Sequence, residues 1–225
     1  MATRTRTATA SSAGEKSSLT ATIVIALIIL AIAGAVFGGP DVSPPGPVLL
    51  VGDSLLWQSA DEMTAAFAED GWETRIEATP GAGIAGGGFT SFAWPQHLDK
   101  VTKQLDYEVA IVELGTNGCE GCPSVPEAID NVMKNLHDVE LVLWIDARRV
   151  APRPGMAMAD EINHELRKAT DRWDNLEVLS LEELLDKDTG NNKIDSDGVH
   201  LTLAGQLVLT GSVRDELRER AGISK

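Results

Sequence analysis

Apolar and polar positions along this chain alternate between two periods. Residues 48–51 form an uninterrupted apolar run that enters Gly52-Asp53-Ser54-Leu55, the pattern of a strand buried on both faces and closed by a tight turn. Residues 55–70 then repeat at helical spacing and stop at Gly71, a helix-terminating signal. Further strands are predicted at 72–78, 107–114, 140–146 and 176–181. Helices are predicted at 127–137, 158–173 and 202–221, with a partly helical stretch at 94–105. In the 158–173 segment Ile162, Leu166 and Ala169 share one face. The intervening loops are 79–90, rich in glycine, 115–126, and 148–155, which contains proline. Strands alternating with long helices imply right-handed crossovers and a parallel sheet covered on both sides. There is no internal repeat, and residues 48–225 read as one domain.

The first part of the 225-residue chain is of another kind. Residues 1–18 form a tail rich in Thr, Ala and Ser, carrying Arg4, Arg6 and Lys16 against Glu15. Residues 19–37 contain no charge, enough helix at 1.5 Å per residue to cross a bilayer core. Basic residues before the span and acidic sequence after it predict a single-pass anchor in the cell membrane, with the domain outside the cytoplasm. The competing reading is a cleaved signal peptide and a secreted protein, because Ala-x-Ala sequences occur near Ala31 and Ala35. Such a peptide usually has a shorter apolar region, about 7–15 residues, which favours the anchor. Residues 38–47, with four prolines and three glycines, form a short extended linker.

Charge narrows the function classes. Setting aside Arg4, Arg6, Lys16 and Glu15 leaves 16 basic against 33 acidic residues, a net of −17. That field repels nucleic acid and anionic headgroups, so no nucleic-acid partner is expected.

Four polar motifs fall at or beyond predicted strand ends, where α/β proteins place their chemistry. Gly52-Asp53-Ser54-Leu55 follows the first strand, Gly81 the second, Gly115-Thr116-Asn117 the third and Asp197-Gly198-Val199-His200 the fifth. A serine hydroxyl needs a base within hydrogen-bond reach to become a nucleophile. His200 suits that role, and Asp197 can take the other imidazole N–H and fix the tautomer. Donors for an oxyanion are the Ser54 N–H, a glycine N–H and the Asn117 side-chain amide. Gly81 is the glycine chosen, with Gly83 as the alternative. Each motif alone has an ordinary reading: Ser54 as a helix cap, Asn117 as a turn residue, His200 as a surface histidine. Their joint placement favours catalysis.

The set Gly52–Leu55, the glycine of Ala78-Thr79-Pro80-Gly81, Gly115-Thr116-Asn117 and Asp197–Thr202 resembles the SGNH branch of the GDSL hydrolases in order and spacing. The resemblance implies a flavodoxin-like three-layer α/β/α sandwich with five parallel strands. It also implies hydrolysis of acyl or acetyl esters of carbohydrates or lipids, through an acyl-enzyme intermediate and without metal or cofactor. Carried over, Ser54 is nucleophile, His200 base, Asp197 its orienter, and Gly81 and Asn117 oxyanion donors. One departure is Gly118, where the family often has Asp; a changed loop is expected there. An O-acyltransferase using the same residues is the near alternative, and a non-catalytic carbohydrate-binding domain the distant one.

Other motifs carry less. Gly81–Gly86 matches G-x-G-x-x-G, but after the second strand, and Gly87-Gly88 oppose the helix a pyrophosphate would need. Cys119 and Cys122 form a C-x-x-C pair, either a thiol–disulfide oxidoreductase motif or, outside the cytoplasm, a local disulfide stiffening the loop after Asn117. Trp57 and Trp94 are candidates for a substrate pocket or for the core. Arg148, Arg149 and Arg153 are candidates for an anionic substrate group or for surface ion pairs. His97, His137 and His164 lack metal-ligand spacing and read as structural or solvated.

Overall fold

The computed structural model describes residues 46–85, 89–119, 121–148, 158–186 and 192–221. The predicted tail (1–18), the predicted anchor (19–37) and all but the last two residues of the linker (38–47) lie outside the described residues. Among the described residues no helix is long and apolar enough to cross a membrane.

Five strands form one parallel sheet: β1 (Val48–Gly52), β2 (Thr74–Ala78), β3 (Val109–Glu113), β4 (Leu141–Ile145) and β5 (Leu176–Leu179). Their order is β2-β1-β3-β4-β5. Six helices accompany them: α1 (Ser54–Ala68), α2 (Trp94–Val101), α3 (Val125–Met133), α4 (Ala159–Ala169), α5 (Leu181–Asp186) and α6 (Leu203–Ala221). The strand order reverses between β1 and β3, and in such sheets the crevice beyond the carboxyl ends at that point is where ligands bind.

All five residues of β1 and of β3 are buried. Side chains alternate between two cores, as the pleat requires. Leu49, Val51, Ala110, Val112, Val142 and Trp144 pack with Trp94, Leu98, Ile129, Ile162 and Leu166 of α2, α3 and α4. Val48, Leu50, Val109, Ile111, Leu143 and Ile145 pack with Leu55, Met63, Phe67, Leu184, Leu209 and Val213 of α1, α5 and α6. The result is the three-layer α/β/α arrangement expected from the sequence.

Several boundaries depart from expectation, among them those at both ends of the predicted 127–137 helix and at the end of the predicted 158–173 helix, which stops at Ala169. Helix α3 begins before Pro126, which occupies its first turn, because Ser124 accepts the Glu127 N–H and caps it; proline is tolerated there since that turn needs no donor. The last strand stops at Leu179. Residues 181–186 form α5, which buries Leu181, Leu184 and Leu185 and is capped by Asp146, whose Oδ1 accepts the Leu181 N–H at 2.9 Å. The 94–105 stretch is helical only to Val101.

One ion cluster links the two ends of the chain's α1–α6 layer. Asp70, just beyond α1, accepts from Arg214 (2.7 and 2.8 Å) and Arg218 (2.7 and 2.6 Å) of α6. The Asp70 side chain is only 6% exposed, and the hydrogen bonds from Arg214 and Arg218 hold its carboxyl far below the ordinary carboxylate range. A carboxyl depressed on folding contributes stability above its unfolded pKa and loses it as pH falls. Asp70→Asn should therefore lower stability by about 2 kcal/mol at pH 7. The difference from wild type should shrink below pH 4, as measured by urea denaturation across pH; a constant difference down to pH 3 contradicts this account.

Candidate active site

The turn after β1 is set by packing. A Cβ on Gly52 would come within 2.4 Å of the Leu56 Cβ, so only glycine lets α1 return this closely onto its strand. Asp53 caps the helix, its Oδ1 accepting the Leu55 N–H at 3.1 Å. Ser54 is therefore the first helical residue, and its N–H belongs to the set that has no intrahelical acceptor. The positive end of the helix dipole lies at the same point.

Across the crevice a turn at residues 194–201 brings in the base. An antiparallel bridge pairs Ile194 with Leu201, and the Asp195 N–H donates to the His200 carbonyl at 2.8 Å. Leu201 is buried against the α1–α6 core, which anchors the turn. Gln58 of α1 accepts the Leu201 N–H at 3.4 Å. His200 Nε2 lies 3.1 Å from Ser54 Oγ, and His200 Nδ1 lies 2.5 Å from Asp197 Oδ2. The other Asp197 oxygen accepts the backbone N–H groups of Val199 (2.8 Å) and His200 (3.0 Å). These bonds, that from Val199 first and the His200 side chain next, hold the Asp197 carboxyl down to about 2. Asp197 is then a carboxylate near neutral pH, able only to accept, so Nδ1 carries the imidazole hydrogen and Nε2 faces the serine as acceptor. Ser54 and the distant pair Asp197 and His200 thus form one hydrogen-bonded chain.

The predicted oxyanion residues are also at this edge. Gly81 has φ +79, and a Cβ there would lie 3.1 Å from that of Phe89, whose N–H donates to the Gly81 carbonyl at 2.8 Å. Gly83 has no such left-handed requirement. Asn117 is buried, and both hydrogens of its amide have protein acceptors: Asp53 Oδ2 at 2.9 Å and the Ala82 carbonyl at 3.3 Å. Asn117 therefore ties the glycine loop and the nucleophile turn together. Gly118 closes its own turn by donating to the Gly115 carbonyl, and its carbonyl accepts from Ile84.

The remaining candidates separate. Trp94 is fully buried in the core, whereas Trp57, one helical turn after Ser54, is 59% exposed. Arg148 lies beyond β4, half-buried, with its charge felt by Glu182 and Asp197 and its Nε buried without a hydrogen-bond partner. Arg149, Arg153 and Gly86 lie outside the described residues. His97 pairs with Glu77 at 2.6 Å, His137 with Asp138 and His164 with Glu165. Among the described residues no group of three or more His, Cys, Asp or Glu is placed to hold a metal ion. A cavity of 220 Å³ lined by Tyr107 and Val139 opens at the opposite, N-terminal ends of β3 and β4, away from Ser54. Buried acids beside the nucleophile, Asp53 and Glu113, were missed as a pair. The signal available was only that Glu113 ends an otherwise apolar strand.

No family model matches the chain, and no curated protein matches it in sequence. Solved structures do match in fold. A lipase/acylhydrolase from Enterococcus faecalis is 17% identical, with a TM-score of 0.59, covering 78% of this chain and 96% of that one. The psychrotrophic esterase EstA from Pseudoalteromonas is 13% identical, with a TM-score of 0.58, covering 79% and 99%. The C-terminal catalytic domain of the peptidoglycan O-acetyltransferase OatA from Streptococcus pneumoniae is 14% identical, with a TM-score of 0.56, covering 80% and 97%. The five-stranded sheet, its order and these likenesses agree: the chain has the fold of the SGNH/GDSL hydrolases.

Proposed function

We propose that this protein is a serine esterase or acylhydrolase of the SGNH/GDSL family, acting on acyl or acetyl esters. The observation that carries the reading is the chain of hydrogen bonds from Ser54 Oγ through His200 to Asp197, 3.1 and 2.5 Å long, at the sheet's switch point. In the first step Ser54 Oγ attacks the ester carbonyl while His200 Nε2 takes its proton. The resulting oxyanion is met by the Ser54 N–H at the helix N-terminus, the Gly81 N–H and the Asn117 amide. Asn117 joins by exchanging its longer bond, 3.3 Å to Ala82, while keeping the shorter one to Asp53. Collapse expels the alcohol, protonated by His200, and leaves Ser54 acylated. Water, deprotonated by His200, repeats the attack and releases the acid.

The near alternative is acyl transfer, in which a second hydroxyl takes the place of water. OatA, one of the fold relatives, is an O-acetyltransferase by its description. The same side chains serve both reactions, so partition between water and acceptor distinguishes them. A thiol–disulfide exchange role is less well supported: Cys119 and Cys122 are joined in a disulfide, and Cys119 is only 3% exposed, whereas an attacking sulfur must be accessible. The pair instead closes the loop just after Asn117.

We place the protein at the cell membrane with this domain outside the cytoplasm. The support is the uncharged 19–37 segment with its flanking charges, together with a disulfide, which persists in oxidising compartments.

Two experiments test these readings. Ser54→Ala should lower p-nitrophenyl ester turnover by more than about 10³-fold and abolish fluorophosphonate labelling. Asp197→Asn should lower kcat at least about 100-fold with little change in KM. Turnover retained in Ser54→Ala rules out the serine mechanism. For the loop, Cys119→Ser with Cys122→Ser should lower stability by about 2 kcal/mol under oxidising conditions and reduce kcat. An unchanged denaturation midpoint and kcat would show that the disulfide has no positioning role.

A further inference from the structure

Two carboxyl groups at the active edge have no part in the triad, and both are completely buried: Asp53 and Glu113. They leave the ends of neighbouring strands. Gly52 is the register partner of Glu113, and the Asp53 N–H donates to the Glu113 carbonyl at 3.1 Å. The Asp53 charge bears directly on the Glu113 carboxyl.

The donors around them are unequal. Asp53 Oδ1 takes the Leu55 N–H at 3.1 Å, and its Oδ2 takes an Asn117 amide hydrogen at 2.9 Å. Glu113 Oε1 takes the Thr116 hydroxyl at 3.3 Å. Glu113 Oε2, equally buried, receives no donor. Among the described residues no lysine or arginine is hydrogen-bonded to either group.

Two adjacent carboxylates in so dry a place cannot both stay ionised, because each lacks the solvent or counter-ion that would stabilise its charge. One proton is therefore held between them. The donor count decides where it resides. Asp53 already serves as a double acceptor, as a carboxylate does, while Glu113 has one oxygen that nothing donates to. That oxygen is satisfied if it is the donor. Burial pushes both groups upward, and for Glu113 the neighbouring Asp53 charge pushes it further still.

We infer that Glu113 is a neutral carboxylic acid whose O–H donates to the Asp53 carboxylate, and that this acid–carboxylate pair positions Asn117 against the turn carrying Ser54. The charge that remains on Asp53 orients the Asn117 amide and caps α1, so one anion registers the oxyanion donor to the nucleophile. Glu113 and Asp53 are positioning residues; the proton on Glu113 stays in place during turnover. The consequence for catalysis rests on the esterase reading above, but the protonation state does not.

The test separates the two. Infrared spectra of the full chain at pH 7 should show a carboxylic-acid C=O stretch, since surface carboxyls are ionised at that pH. The band should vanish in Glu113→Gln and shift in Asp53→Asn. A band that persists in Glu113→Gln, or none in wild type, overturns the inference whether or not the protein cleaves esters. Stability gives a second reading. A carboxyl raised on folding loses stabilising power as pH climbs from its unfolded toward its folded pKa. Wild type should thus weaken from pH 5 to pH 9 relative to Glu113→Gln, and parallel curves count against the inference. With ester turnover in hand, Glu113→Leu should lower kcat about 100-fold at nearly constant KM. Glu113→Gln, which still donates to Asp53, should recover to within about fivefold. Equal losses in the two variants would reduce Glu113 to a space-filling role; if Glu113→Leu fails to fold, the infrared and Glu113→Gln measurements decide.

Discussion

The approach of α1 onto the end of β1, closer than any side chain at position 52 would allow, governs the geometry of this domain's active edge. It forces a turn of one residue between strand and helix, and Asp53 occupies that residue with its side chain turned inward. Ser54 is left as the first helical residue, its hydroxyl facing the crevice. The β1–β3 register then places Glu113 beside Asp53 and Asn117 just beyond. Strand pairing supplies this alignment to within a residue, because a one-residue slip of β3 would send Glu113 to the other face.

Three acids within this small region have different fates, set by surroundings rather than by residue type. Asp197 lies in a turn at 38% side-chain exposure, receives two backbone N–H groups, and stays ionised to orient His200. Asp53 and Glu113 are sealed beneath the nucleophile and, on the inference drawn above, share a proton. An exposed, hydrogen-bonded carboxylate and a buried, paired carboxyl are the two environments by which one fold drives carboxyl chemistry apart. The net acidity of the domain has little to do with either, since surface charge is screened and these contacts are not.

Exposed apolar side chains also lie on the segments that carry the site residues. Trp57 follows Ser54 by one turn, Phe89 is pinned to Gly81 by a backbone hydrogen bond, and Leu203 and Leu207 open the helix after His200. Each of the three segments bearing Ser54, Gly81 and His200 thus also carries large apolar surface that the core does not use.

Period and punctuation along the chain were enough to reveal five parallel strands and most of the helices between them. Buried strands are apolar throughout, amphipathic helices repeat at 3.6, and polar motifs cluster at strand ends; each of these is a local property. The short helix α5 was masked because its Leu181 continued an apolar strand. Pro126 was read as loop because a helix start is signalled by its cap, Ser124, rather than by proline. Tertiary structure alone decided what surrounds Asn117, Asp53 and Glu113. Their roles depend on which groups from other strands face them and on the loss of water around them, and a linear sequence encodes neither distance nor dielectric. Ser54 could be singled out only together with Gly81, Asn117, Asp197 and His200; what holds it in register comes from β3, some sixty residues away.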